Sequence, residues 1–151
     1  MKLATIGMAM MLLSATAVLA DPPPRPLVDS KPVKVTSADA AGPVFSSKTA
    51  VKESGQDGPG TNVLLLRSKD HNVTMGLYEA AGASDYDIDS YELDEFLFFI
   101  AGGVTMTSAD GTVLEAHAGE AVAVPKGWKG HWSTKGYKLY YTAYTGGAKP
   151  K

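Results

Sequence analysis

The chain has 151 residues, of which 44% are hydrophobic, and its formal net charge is −2. This length ordinarily corresponds to one domain, with enough apolar side chains to build a core. The net charge is not positive, so the composition does not favour nucleic acid as a partner. The sequence contains no cysteine, which excludes disulfides, thiolate metal sites, a cysteine nucleophile and an acylated lipoprotein anchor.

Residues 1–20 have the organisation of a secretory signal peptide. Lys2 supplies a positive start, residues 3–17 are mostly apolar, and a small-residue cleavage site ends at Ala20. An uncleaved membrane anchor is the alternative, since about 18 residues can just span a bilayer. Threonine and serine dilute the apolar run, so we predict cleavage after Ala20. The mature protein is then expected to be periplasmic or secreted, without a stable membrane span.

Residues 21–42 are predicted to be a proline-rich leader. Pro22, Pro23, Pro24 and Pro26 favour an extended polyproline conformation with no core of its own. A spacer is the simpler interpretation, and a recognition segment is the alternative. The sequence leaves open whether this leader docks on the domain that follows.

The globular domain is predicted over residues 43–145, and residues 146–151 are predicted to be a flexible tail. Short β-branched and aromatic runs alternate with turn residues, and no helix is predicted in the mature chain. The segment 52–60 is predicted to be a loop, Asp110-Gly111 indicates a hairpin, and Gly102-Gly103 is expected to end a strand. Predicted strands are 44–51, 61–68, 73–80, 95–102, 104–107, 112–116, 120–124 and 136–145. This pattern favours an all-β barrel or sandwich.

Two spaced motifs resemble the signature of the cupin superfamily. Glu95 is followed after six residues by Gly102, and Gly119 is followed after five residues by Pro125 and then by Gly127. Within cupins the chain is similar to the ureidoglycine-aminohydrolase-like branch, through Asp94-Glu95-Phe96, Gly103, Asp110-Gly111, Gly119-Glu120, residues 125–130 and Trp132. The resemblance covers about residues 81–141. It implies a single double-stranded β-helix barrel of the jelly-roll type, often paired into a dimer.

The same comparison shows that the usual metal ligands are missing. Metal-binding cupins carry a His-x-His pair before the glutamate, and here those positions hold Asp89 and Tyr91 or, in the other register, Ile88 and Ser90. A third histidine is expected where Gly130 stands. Of the usual set only Glu95 remains, so no metal cofactor is expected and the hydrolysis of ureidoglycine is not carried over. His131 lies one residue past the expected position, which on a strand turns it to the opposite face.

Strand alternation predicts which side chains face the barrel interior. If Glu95 points inward, Leu97 and Phe99 point inward with it, and Phe96, Phe98 and Ile100 point outward. Apolar residues on both faces imply that both faces are covered, so we predict a second sheet or a partner subunit over the outer face, and hence a homodimer. If Gly130 takes the histidine position, Trp132 also points inward.

The function predicted from these features is the binding of a small polar molecule at the mouth of the barrel. Its predicted ligand-binding residues are Tyr86, Tyr91, Glu95, Lys126, Trp128 and Trp132, with Lys126 suited to an anionic group. Glu95 is also a candidate general acid or base. One alternative is a metal-dependent enzyme that uses Glu95, His131 and Asp89 to hold manganese or a similar ion. The other is a non-catalytic structural or interaction dimer whose barrel is filled by aromatic side chains.

Overall fold

The computed structural model describes residues 31–55 and 58–145. The predicted signal peptide, residues 21–30 of the proline-rich leader and the predicted tail at 146–151 lie outside the described residues. Within the described ranges, no helix is long and apolar enough to cross a membrane.

The described residues form mainly antiparallel strands, preceded by two short helical segments. In chain order these are α1 (Ser37–Ala41), a 3₁₀ turn (Pro43–Ser46), β1 (Ala50–Gly55), β2 (Gly58–Arg67), β3 (Val73–Ala80), β4 (Ser84–Ile88), β5 (Asp94–Ser108), β6 (Val113–His117), β7 (Ala121–Val124), β8 (Gly130–Thr134) and β9 (Tyr137–Tyr144).

Strand β5 belongs to two sheets that enclose one interior. Its first half pairs with β9 and β7, in a sheet of order β1-β2-β3-β9-β5-β7. Its second half pairs with β8 and β6, in a sheet of order β4-β8-β5-β6. This curled antiparallel arrangement confirms the predicted all-β barrel of the jelly-roll type.

The paired glycines allow β5 to pass from one sheet to the other. Gly102 has φ of 67°, and a Cβ there would lie 2.1 Å from the carbonyl oxygen of Gly136. A Cβ on Gly103 would lie 2.2 Å from the carbonyl oxygen of Ala116. The prediction that Gly102 and Gly103 end a strand was therefore wrong. They bend a continuous strand of 15 residues because neighbouring backbone approaches too closely for any side chain.

The predicted alternation along β5 is confirmed. Glu95, Leu97 and Phe99 are buried, whereas 50% of Phe96 and 38% of Phe98 is exposed. The inward side chains join a core that contains Trp132, as expected, together with Tyr78 of β3 and Tyr137 and Tyr141 of β9. Both faces of β5 are thus apolar. The inner face packs in the core, whereas Phe96 and Phe98 on the outer face are partly exposed to solvent.

The N-terminal segment covers part of the outer face of the first sheet. Ala40 of α1 and Phe45 of the 3₁₀ turn form a second cluster with Val63 and Leu77 of that sheet. Lys138 fixes this segment, because its ammonium group donates to the carbonyl oxygen of Ala41 at 2.6 Å and lies 5.6 Å from the centre of the Phe45 ring. Residues 37–42, the end of the predicted leader, therefore lie on the barrel.

Three predictions for this part of the chain were wrong. No helix was predicted, yet Thr36 and Asp39 form a capping box at the start of α1. A helix of five residues is too short to show helical periodicity, and it depends on packing for its stability. The predicted strand at 44–51 begins with the 3₁₀ turn, and the predicted loop at 52–60 contains the paired ends of β1 and β2.

Candidate functional site

Glu95 is the buried carboxyl group of the barrel. On β5 it lies between Val124 of β7 and Ala143 of β9, and only 4% of the residue is exposed. The hydroxyl group of Tyr91 donates a hydrogen bond to Oε2. The other oxygen, Oε1, has no hydrogen-bond partner among the described residues. A carboxyl group is therefore held inside an apolar barrel with half of its hydrogen-bonding capacity unused.

Burial determines the protonation state of Glu95. Desolvation raises the pKa of its carboxyl group from 4.5 to about 8, and the hydrogen bond from Tyr91 offsets only part of that effect. At neutral pH the group is mostly a neutral carboxylic acid. It can then donate a proton or a hydrogen bond from one oxygen while it accepts from Tyr91 at the other, which suits a general acid better than a general base.

Tyr91 is fixed by the loop that follows β7. Its backbone N–H donates to the carbonyl oxygen of Trp128 at 2.8 Å, and its own carbonyl oxygen accepts from the N–H of Gly127 at 2.7 Å. Its ring meets the Trp128 ring edge-on, with the ring centres 6.4 Å apart. Burial, more than the nearby Glu95, raises the pKa of Tyr91 well above 10. Tyr91 is therefore a neutral donor that holds Glu95 in place.

Trp128 explains why glycine occupies position 130. The indole N–H of Trp128 donates to Oγ of Ser108 at 3.1 Å. In this position of the ring, a Cβ on Gly130 would lie 2.6 Å from a Trp128 ring carbon and 2.3 Å from the carbonyl oxygen of Thr107. Position 130, where the resemblance to metal-binding cupins predicts a histidine, thus has no room for a Cβ.

Trp132 and Tyr86 form a cross-strand pair between β8 and β4. Only 2% of Trp132 is exposed, and its ring lies edge-on to Tyr137 with the ring centres 6.3 Å apart. Its Nε1 has no hydrogen-bond partner among the described residues. Tyr86 is half-buried and packs against the same interior cluster, as does Trp128. Four predicted aromatic residues, Tyr86, Tyr91, Trp128 and Trp132, therefore belong to one interior or its boundary.

Lys126 lies apart from this interior. The residue is exposed, and its backbone N–H donates to Oδ1 of Asp94 at 3.0 Å. Asp94 therefore holds the turn after β7. The ammonium group of Lys126 is not brought to the carboxyl group of Glu95.

The alternative metal ligands do not converge. His131 faces outward on β8, where Nε2 lies 2.9 Å from Oδ1 of Asp85 and Nδ1 lies 2.8 Å from Oδ1 of Asp87. These contacts, chiefly the hydrogen bond with Asp87, raise the pKa of His131. Glu95 faces inward, and Asp89 is exposed after β4. In the described ranges no three histidine, aspartate or glutamate side chains form a group that could hold a metal ion.

The residues at the positions of the family's metal ligands therefore do not fit a metal ion. Beside Glu95 the interior offers the hydroxyl group of Tyr91, which is bonded to that carboxyl group, and Gly130 has no donor atom. The pairing of His131 with Asp85 and Asp87 was missed from the sequence. Aspartates at 85 and 87 share one face of a strand, and this was the available signal.

Two clefts of the described structure are lined by none of the predicted aromatic residues and not by Lys126, although the first includes Glu95. One, of about 510 Å³, is lined by Asp94, Glu95, Phe96, Ala123, Val124, Pro125 and Thr142. The other, of about 460 Å³, is lined by residues 102–105, Glu115, His117 and residues 133–136. In the first cleft, Phe96 is paired with Ala123 and Thr142 on neighbouring strands. Because side chains at paired positions share a face, this cleft extends over the outer face of the first sheet.

Comparison with known proteins agrees with the fold. Residues 68–138 match the family model of the EutQ-like cupin domain, so this part of the chain is a cupin-family domain. The narrower resemblance to the ureidoglycine-aminohydrolase-like branch stays a prediction. A search of curated proteins finds no significant match.

Several solved structures are similar. A structural-genomics protein of unknown function from Rhizobium leguminosarum bv. viciae 3841 is 22% identical, with 77% of this chain and 99% of that chain covered and a TM-score of 0.52. An RmlC-like cupin from Shewanella frigidimarina NCIMB 400 is 13% identical, with 68% and 89% covered and a TM-score of 0.52. An ethanolamine utilization protein Q from Salmonella typhimurium LT2 is 14% identical, with 65% and 95% covered and a TM-score of 0.49. At these identities the likeness concerns the fold.

The raised pKa of Glu95 predicts a loss of stability at alkaline pH. In the folded state the group keeps its proton up to about pH 8, and in the unfolded chain only up to about pH 4.5, so stability falls as pH rises through this window. At about 1.4 kcal/mol per pKa unit, the loss is at most about 5 kcal/mol. Glu95→Gln is neutral at every pH. The free energy of unfolding of this variant minus that of wild type should therefore be larger at pH 9 than at pH 5.

Urea unfolding at the two pH values measures this difference. Glu115→Gln, a substitution at an exposed glutamate of β6, is the matched control and should show a constant difference from wild type. An equally constant difference for Glu95→Gln would contradict the raised pKa.

Proposed function

We propose that this cupin-domain protein binds a small polar molecule in its barrel, at Glu95, without a conventional metal centre. The observation that carries the proposal is the Oε1 atom of Glu95, which is buried without a hydrogen-bond partner among the described residues. Leaving such an atom unpaired costs about 1–3 kcal/mol. An apolar side chain between Val124 and Ala143 would avoid this cost, so a role in ligand binding accounts for the carboxyl group better than stability does.

The aromatic residues around Glu95 suit such a site. Tyr91 holds the carboxyl group, and Trp132 contributes a second unpaired polar atom. Trp128 and Tyr86 are half-buried against the interior cluster, so they separate it from solvent and lie where a ligand would enter. Binding sites of this kind combine apolar walls with a few polar groups that fix orientation.

Replacement of Glu95 by Leu should weaken ligand binding. A thermal-shift screen of polar metabolites on the mature protein identifies a ligand, and titration calorimetry then compares variants. Loss of one neutral hydrogen bond predicts an affinity about 2- to 10-fold lower for Glu95→Leu, with the fold retained because the neighbouring side chains are apolar. Glu115→Leu is the control and should bind as wild type does. An unchanged affinity of Glu95→Leu would show that Glu95 does not contribute to the binding site.

We further propose that the protein is exported to the periplasm or beyond the cell, on the evidence of residues 1–20. The small residue Ala20 at the end of the apolar run supports cleavage before Asp21. N-terminal sequencing of the exported protein should begin at Asp21. Ala20→Arg should leave the precursor uncleaved, because signal processing requires a small residue there. A cytoplasmic protein that still begins at Met1 would contradict export.

A second candidate function, self-association, is favoured by the uncovered part of the outer face. The N-terminal segment covers Leu77, whereas Phe96, Phe98 and Met75 on the same sheet are exposed to 50%, 38% and 38%. Exposed aromatic side chains concentrated on one face are typical of an interface. A second copy of this chain, packed face to face, is the partner that we propose.

The substitution Phe98→Asp should dissociate this dimer. It would place a carboxylate in an apolar interface without a partner, so association should weaken by roughly 100-fold or more. Sedimentation or light scattering gives the mass in solution. Val113→Asp is the matched control, since Val113 is an exposed apolar residue of β6 in the other sheet and should leave the dimer intact. A monomeric wild type would contradict the proposed interface.

A further inference from the structure

Three buried side-chain atoms lack a hydrogen-bond partner among the described residues, namely Oγ of Ser84, Oε1 of Glu95 and Nε1 of Trp132. Ser84 is half-buried at the start of β4, whereas Glu95 and Trp132 are only 4% and 2% exposed. Such atoms are uncommon in folded proteins, where most buried polar groups are paired. The occurrence of the last two together in one interior indicates a common cause.

Tyr91 and Tyr137 belong to the interior cluster that contains Trp132. The hydroxyl group of Tyr91 donates to Oε2 of Glu95. The ring of Tyr137 in turn packs edge-on against Trp132, with the ring centres 6.3 Å apart. Glu95 and Trp132 therefore border one aromatic region, although they come from different sheets.

The chemistry of Trp132 restricts what can bind there. An indole N–H donates a hydrogen bond and cannot accept one. A ligand that pairs with it must therefore present an acceptor atom. An ammonium group offers only donors, so it could pair with Glu95 but would leave the N–H of Trp132 unpaired.

The charges of the interior restrict the ligand further. Among the described residues the buried polar or charged side chains are Thr61, Thr74, Glu95 and Thr134, and no lysine, arginine or histidine is among them. A carboxylate or phosphate group would thus be buried without a counter-charge. A neutral acceptor avoids both costs.

We infer that the ligand of this interior is a neutral hydrogen-bond acceptor, a compound whose ketone, aldehyde or amide carbonyl group pairs with the N–H of Trp132, with Glu95 as its second polar partner. This inference rests on the proposed function and names the class of molecule for the same site. It concerns binding alone and requires no bond to form or break.

The test uses the ¹⁵N-labelled full mature chain, whose two tryptophans give two indole N–H signals. The variant Trp128→Phe serves only to assign them, since Trp132 is its single tryptophan. The probes are cyclopentanone, which has only an acceptor, and cyclopentylammonium, which has the same ring but only donors. We expect cyclopentanone to move the Trp132 signal in a saturable way and cyclopentylammonium to leave it unmoved.

Two further variants locate the contacts. Trp132→Phe in the wild-type chain removes the donor and keeps an aromatic ring, so affinity for cyclopentanone, measured by calorimetry, should fall about 2- to 10-fold. Glu95→Gln keeps a donor, through its amide group, and should retain binding, whereas Glu95→Leu should lose a similar factor. If Trp132→Phe does not fold, the shift of the Trp132 indole N–H signal on addition of cyclopentanone still tests the contact.

The outcomes separate this inference from the function on which it rests. If cyclopentylammonium moves the Trp132 signal and cyclopentanone does not, the ligand is not a neutral acceptor. The proposed binding site would be retained. A screened ligand that depends on Glu95 and carries no neutral carbonyl group would lead to the same conclusion. Absence of any response to the probes, together with a screen that yields no Glu95-dependent ligand, would overturn both.

Discussion

The close approach of backbones at Gly102 and Gly103 is the constraint on which the rest of the structure depends. A Cβ at position 102 would lie 2.1 Å from the carbonyl oxygen of Gly136, and a Cβ at position 103 would lie 2.2 Å from that of Ala116, so only glycine lets β5 bend there and continue. One strand can then serve both sheets, pairing first with β7 and β9 and then with β6 and β8. The barrel interior exists because its two walls share this strand, and Glu95 and Met106 reach the same core from opposite halves of it.

The interior obtained in this way is apolar and aromatic, and this environment raises the pKa of Glu95. In water the carboxyl group would be ionised at neutral pH, but burial raises its pKa to about 8. Tyr91 satisfies one oxygen, and its own position depends on two backbone hydrogen bonds to the loop at Gly127 and Trp128. The loop after β7, far from Glu95 in sequence, thus controls the one carboxyl group that the described core contains.

The same loop leaves no room for a side chain at position 130. A Cβ there would lie 2.3 Å from the carbonyl oxygen of Thr107 and 2.6 Å from the Trp128 ring. His131, one position later, faces outward and is held by Asp85 and Asp87, which makes it part of the pairing between β4 and β8. The chemistry available inside is hydrogen bonding by neutral groups.

The sequence by itself determined the features that depend on local pattern. Strand β3 at Val73–Ala80, the turn at Asp110 and the shared face of Glu95, Leu97 and Phe99 follow from alternation and turn chemistry, which a few adjacent residues specify. Only the tertiary structure decided that β5 continues through Gly102 and that α1 forms over the outer face, because these depend on strands distant in sequence. It also decided that the two clefts lie away from the predicted aromatic residues, since the volume left open depends on how side chains from all strands pack together.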